Sequence, residues 1–254
     1  MDMPTADYHD PAQPAHAPAH PTAATAGRRD LYAGIHKALR LFMTHTLCRL
    51  GSTDPADGTE VAAALEMLER LLALCELHLK DENEFVHPAL ERARPGSAAR
   101  IAAEHVHHAE AIADLRDLAG LVGHGREGAR AAALARLYRA LALFVADNLQ
   151  HMHVEETTHS PVLWAEYSDA ELVAIEQALV ASIPPSAMFE ALHWFLPALN
   201  ASERAAMLAE MSQGMPPEPF RAVLGIAERT LAPQDHARLM RALGLPAVRG
   251  LMTA

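Results

Sequence analysis

Cysteine is scarce in this 254-residue chain: only Cys48 and Cys75 are present, too few for a disulfide framework. Basic residues are short as well. Lys and Arg number 21 against 32 Asp and Glu, the formal charge is -11, and no basic cluster stands out that could neutralise several phosphates at once. Nucleic acid is therefore not an expected partner. Long apolar runs are missing, since even Ala131 to Val145 is interrupted by Arg136 and Arg139, far short of the roughly 18 residues a membrane span needs. The opening MDMPTADYHD has neither the positive start nor the apolar stretch of a secretory signal, so the expected location is the cytoplasm. Strand signals are absent too: no alternating β-branched runs flank Asn-Gly or Asp-Gly turns. What is present is a 50% hydrophobic composition with mean hydropathy +0.00, enough for one large or two small globular domains.

Histidine is the exception to this scarcity. The chain has 16, several times the ordinary share. His9, His16 and His20 lie in a Pro/Ala-rich leader, residues 1–27, which has no apolar periodicity and is expected to be disordered. His193 and His236 lie far downstream, and the other eleven fall between residues 36 and 159.

From residue 28 the chain is rich in Ala, Leu, Glu and Arg with apolar residues at helical spacing, which predicts an all-α fold. Breakers at Gly51 to Gly58, Pro95-Gly96 and Gly120 to Gly128 divide residues 28–166 into four long helical segments, near 29–50, 58–93, 97–120 and 127–165. Four long helices with short links predict an antiparallel bundle. Residues 167–254 read as a smaller helical subdomain. Ser168 with Glu171 forms a capping box, Asn200 with Glu203 opens a later helix, and Pro184-Pro185, Pro216-Pro217 and Pro233 mark further starts.

An internal repeat carries the chemistry. His78 to Leu90 and His151 to Leu163 both read H-x3-E-x5-P-x-L. Residues four apart share a helix face, so His78 with Glu82 and His151 with Glu155 each aim an imidazole and a carboxylate at a common point. The stripes carrying them are otherwise apolar: Leu71, Leu74, Cys75 and Phe85 on one helix, Leu137, Leu141, Phe144 and Asn148 on the other. Pairs on such stripes point inward, and a metal ion is the partner that satisfies both members at once.

The first and third helices supply the complement. His36 lies on the stripe Tyr32, Leu39, Met43, Leu47, Leu50; His105 and His108 lie on the stripe Ile101, Ile112, Leu115. His107 falls off that stripe. His45, His87, His124, His153 and His159 are off the ligand stripes or beyond them and are left out of the expected site. Cys75, one turn before His78, is read as a small core residue.

These residues resemble the hemerythrin-like (HHE) family over about residues 29 to 166. The resemblance implies an antiparallel four-helix bundle around a non-haem centre of two iron ions (Fe2+/Fe3+) with a bridging oxo or hydroxo group, manganese being the alternative metal. By position it makes His36, His78, His105, His108 and His151 terminal ligands and Glu82 and Glu155 bridges. Here the third helix has His105-x2-His108 and the fourth H-x3-E, where oxygen carriers have H-x3-H and H-x4-D. This pattern is closer to bacterial HHE domains and to the iron-sensing domain of a ubiquitin-ligase adaptor, and it leaves Glu104 as an alternative ligand. Two six-coordinate irons need about twelve donor positions. Five imidazoles, two bridging carboxylates and one bridging oxygen leave one position open. The implied function is binding of dioxygen or a related small ligand (nitric oxide, peroxide) for sensing, storage or delivery. The alternatives are a di-iron oxidase or peroxidase, and an iron-storage or iron-sensing interaction module.

Overall fold

The computed structural model describes residues 27–125 and 127–246, so the leader, apart from Gly27, lies outside the described residues. Among these the fold is all-α, with no strand. The long segments are α1 (Ala33–Ser52), then α2 (Gly58–Asp81) running through a π turn, π1 (Glu82–Val86), into α3 (His87–Ala93). They continue with α4 (Ala99–His124), then α5 (Glu127–Val154) running through π2 (Glu155–His159) into α6 (Ser160–Glu166). The first expected segment begins later than residue 29, because Asp30 Oδ1 accepts from the N–H groups of Tyr32 and Ala33 and closes the helix start there. Asp57 does the same for α2, accepting from Thr59 and Glu60.

Each of α1, α2, α4 and α5 packs against two of the others, in the ring α1, α2, α4, α5. The inward polar residues of these helices lie between two apolar layers. One layer holds Leu39, Phe42, Met43, Leu71, Ile112 and Leu141. The other, at the end where α3 and α6 meet, holds Tyr32, Val86, Leu90, Val162 and Leu163. Each fully buried Leu or Phe contributes roughly 1.5–3 kcal/mol by leaving water. The polar layer between them is held in place by these two flanking cores.

Five shorter helices follow: α7 (Asp169–Ser182), α8 (Pro185–Ala198), α9 (Ala201–Gly214), α10 (Pro217–Thr230) and α11 (Pro233–Ala242). Ser168 with Glu171 and Asn200 with Glu203 form reciprocal capping boxes, and α8, α10 and α11 start on prolines whose φ is already helical. Residues of α8 to α11 build a core of their own around Leu192, Leu196, Leu208, Val223, Ile226 and Leu239. Contact with the long helices is nonetheless close. The rings of Phe42 on α1 and Trp194 on α8 stack 3.8 Å apart, Lys37 pairs with Glu203, and Leu172 of α7 joins the apolar layer beside π1. No single described helix is long and apolar enough to cross a membrane; only α7 and α8 taken together are, and they meet at 118°.

Candidate metal centre

Both π turns have a covalent cause. Pro88 and Pro161 sit inside long helices, where proline has no N–H to give and its ring collides with the carbonyl four residues back. The chain accommodates each by one wide turn: the N–H of His87 bonds to the carbonyl of Glu82, and that of Ser160 to Glu155. With α spacing, five residues rotate a side chain roughly 140° off the original face. A π turn returns it to nearly the same face. The inward sequence after Glu82 is therefore Val86 and His87, both buried, while Phe85, expected inward, is only partly so.

At the level of these turns, two groups of donor atoms converge. His36, His78, Glu82 and Glu155 form one, and Glu82, His87, His105 and Glu155 the other, the atoms of each lying within 4.8 Å of one another. Both carboxylates belong to both groups. His36 Nε2 is 3.3 Å from Glu155 Oε2, His78 Nε2 3.4 Å from Glu82 Oε1, and His105 Nε2 3.3 Å from Glu82 Oε2. His151 Nε2 joins them, 3.3 Å from Glu155 Oε1 and 3.1 Å from His105 Nε2.

Proximity here is not pairing. The Nε2 atoms of His36, His78 and His87, Nδ1 of His108 and all four carboxylate oxygens of Glu82 and Glu155 are buried without a hydrogen-bond partner. A buried polar group left unsatisfied costs about 1–3 kcal/mol. Eight together would cost on the order of the whole net stability of a domain, about 5–15 kcal/mol. A cation placed among those that belong to the two donor groups, all but His108 Nδ1, removes most of that cost, so the donor set fits a metal.

The outer nitrogens are well served. His36 Nδ1 donates to Glu156, itself gripped by Arg40; His105 Nδ1 donates to Asn83 Oδ1 at 2.9 Å; His151 Nδ1 donates to Glu104, held by Arg100. With Nδ1 carrying the proton, each Nε2 lone pair faces inward, the tautomer a metal requires. The electrostatics show a demand for positive charge at the same place, which a proton on His36 can meet as well as a metal. Burial pulls the His36 pKa down, but Glu155, Glu156 and Glu82 outweigh it and lift it to about 10. Burial alone would raise Glu82, yet His78, His105 and His36 hold it well below the usual carboxylate range. The cluster attracts positive charge.

All seven residues expected in the site are buried. Six converge, and His108 stands one step aside: its Nε2 donates to Asp147 Oδ2 at 3.0 Å, and its ring lies edge-on to His151 and Phe144. Glu104 faces outward, engaged by His151 and Arg100. His45, His107, His124 and His153 are exposed. Of the histidines left out of the expected site, His87 does reach a donor group, whereas His159 is buried but outside both groups. His87 stacks on His105 with centroids 4.8 Å apart, while His159 is buried between the Tyr32 hydroxyl and the Ser97 carbonyl. The usable signal for His87 was the proline six residues after Glu82, which marks a break in α periodicity. Cys75 is packed in the apolar core, where burial pushes its thiol up to about 12. Outside His151, a cleft of about 240 Å³ between α4 and α5 is lined by Arg100, Glu104, His107, Asp147 and Gln150.

Fold and site together define an all-helical protein built around a buried His/Glu group able to hold metal. A family model for the hemerythrin HHE cation-binding domain matches residues 29–163, more than half of the chain, and the chain belongs to that family. Comparison with curated proteins and with solved structures found no match.

Proposed function

We propose that the protein is a di-iron protein, an antiparallel four-helix bundle formed by α1, α2, α4 and α5, that binds dioxygen or a related small ligand such as nitric oxide or peroxide. The observation that carries this reading is the pair of donor groups sharing both Glu82 and Glu155, with every shared oxygen buried and unpartnered. His36 and His78 would serve one iron, His105 and His151 the other, and the two glutamates both. Six His and Glu residues brought together from four helix lines suit iron or manganese, whereas a structural zinc favours four ligands rich in Cys and His. When bound, such a pair supplies one-electron redox changes at each metal and an open position for a small ligand.

The chain's own residues prepare that place. Glu156, Asn83 and Glu104 fix three imidazoles in the metal-ready tautomer, and the apolar layers on either side exclude bulk water. Metal analysis of protein purified without oxygen, followed by an optical spectrum on admitting air, tests the reading. About two irons per chain and a new ligand-to-metal absorption are expected. A single zinc, or no stoichiometric metal after iron-replete expression, overturns it.

A further inference from the structure

We propose that His87, rather than His108, is the third imidazole of the second metal position, so that the α2–π1–α3 stretch supplies three donors in the pattern H-x3-E-x4-H. The inference rests on the di-iron reading and adds a ligand outside the repeated His-Glu pairs. Three observations carry it. First, the π turn forced by Pro88 puts His87 on the face of Glu82, so its position follows from the backbone rather than from a side-chain rotation. Second, its Nε2 is buried without a partner, and the residue belongs to the group with Glu82, His105 and Glu155. The nearest alternative, His159, has both nitrogens engaged, Nε2 donating to the Ser97 carbonyl and Nδ1 accepting from Tyr32. Third, the rings of His87 and His105 stack 4.8 Å apart and only 21° from parallel, two imidazoles side by side at one edge of the cluster.

His108 also has a buried nitrogen without a partner, Nδ1, but it lies outside both donor groups. It lies three residues from His105 on an unbroken helix, its Nε2 is committed to the exposed carboxylate of Asp147, and neither donor group includes it. Its place is between the metal layer and the solvent beside α5, where it holds Asp147 against the bundle. The donor count is unchanged at five imidazoles and two carboxylates, but their distribution is not. One helix line, α2 to α3, reaches both metal positions.

The test compares full-length wild type with His87→Ala, His87→Gln and His108→Ala, each expressed in iron-replete cells, purified without oxygen and challenged with a ferrous chelator. Wild type and His108→Ala should keep about two irons per chain, and both His87 variants about one, the second being lost at least about tenfold more readily. His87 variants that hold two irons as tightly as wild type would overturn the inference while leaving the di-iron reading intact; so would a His108→Ala protein that loses as much iron as His87→Ala. A wild type without stoichiometric metal overturns both. If His87→Ala does not fold, zinc-loaded wild type labelled with 15N-histidine decides the matter. The His87 Nε2 resonance should shift on metal binding and that of His108 should stay, and an unmoved His87 resonance refutes the assignment.

Discussion

The two copies of H-x3-E-x5-P-x-L share a backbone and differ in what it delivers. In both, a proline six residues past the glutamate forces a π turn, and the residue at the turn's end is swung onto the glutamate's face. In the first copy that residue is His87, in the second Ser160, which is buried with its hydroxyl unpartnered. The residue following each glutamate reaches across to a histidine of another helix: Asn83 to His105, Glu156 to His36. One turn before the histidine, the first copy has Cys75 and the second Asn148, whose amide donates to the Phe144 carbonyl. The repeat thus sets the two carboxylates symmetrically, and the asymmetry of the site comes from positions the repeat does not specify.

The largest effect should come from breaking what the copies share. Glu82→Ala and Glu155→Ala should each empty the site, because each carboxylate belongs to both donor groups. A metal at a hundredfold over its Kd adds about 2.7 kcal/mol to the folded state, so melting should fall by several degrees relative to loaded wild type. His107→Ala and His153→Ala, on exposed positions, should change neither metal content nor melting. Equal metal loss in all four would mean that the helix faces are assigned wrongly.

A smaller effect should separate the copies. Pro88→Ala and Pro161→Ala each restore an N–H and let the π turn relax toward α spacing. Pro88→Ala should weaken metal binding by about tenfold or more, because His87 leaves the cluster with it. Pro161→Ala displaces only a serine there and should cost less, and neither variant should melt lower than wild type when both are held in chelator. Identical affinity losses would show that the two turns matter only through their glutamates.

Smallest of all is the contrast between the thiols. Burial keeps the Cys75 thiol protonated up to about pH 12, whereas Cys48 is exposed. Iodoacetamide at pH 8 should alkylate one cysteine in the native protein and both after unfolding, as read by mass spectrometry. Rapid labelling of Cys75 in the native state would place it in an open pocket rather than in the core.

Much of this architecture was legible in the chain itself. The four long segments and all five later helices follow from breakers, capping boxes and prolines, because those signals act locally. The inward stripes of α4 and α5 hold residue for residue, from Ile101 to Leu115 and from Leu137 to Glu155. The stripe of α2 holds only to Glu82. Beyond that point a fixed 3.6-residue period puts Phe85 inside and His87 outside, and the π turn buries His87 and leaves Phe85 only partly buried. The stack of Phe42 on Trp194 was not legible, since nothing local to either ring specifies a partner more than a hundred residues away.

The same distance in sequence has a kinetic consequence at the start of α1. Arg28 donates to the carbonyls of Trp164 and Tyr167 and pairs with Asp169, while the Trp164 indole donates to the Arg29 carbonyl. These contacts join residues 135 to 141 positions apart, a closure that costs about 4 kcal/mol of chain entropy before any contact repays it. Neighbouring helices such as α4 and α5 meet across a short turn and dock first, whereas this clasp waits for α6 to be in place. It fastens the start of α1, just before His36, so the end of the bundle over the polar layer closes only after α4 and α5 have docked.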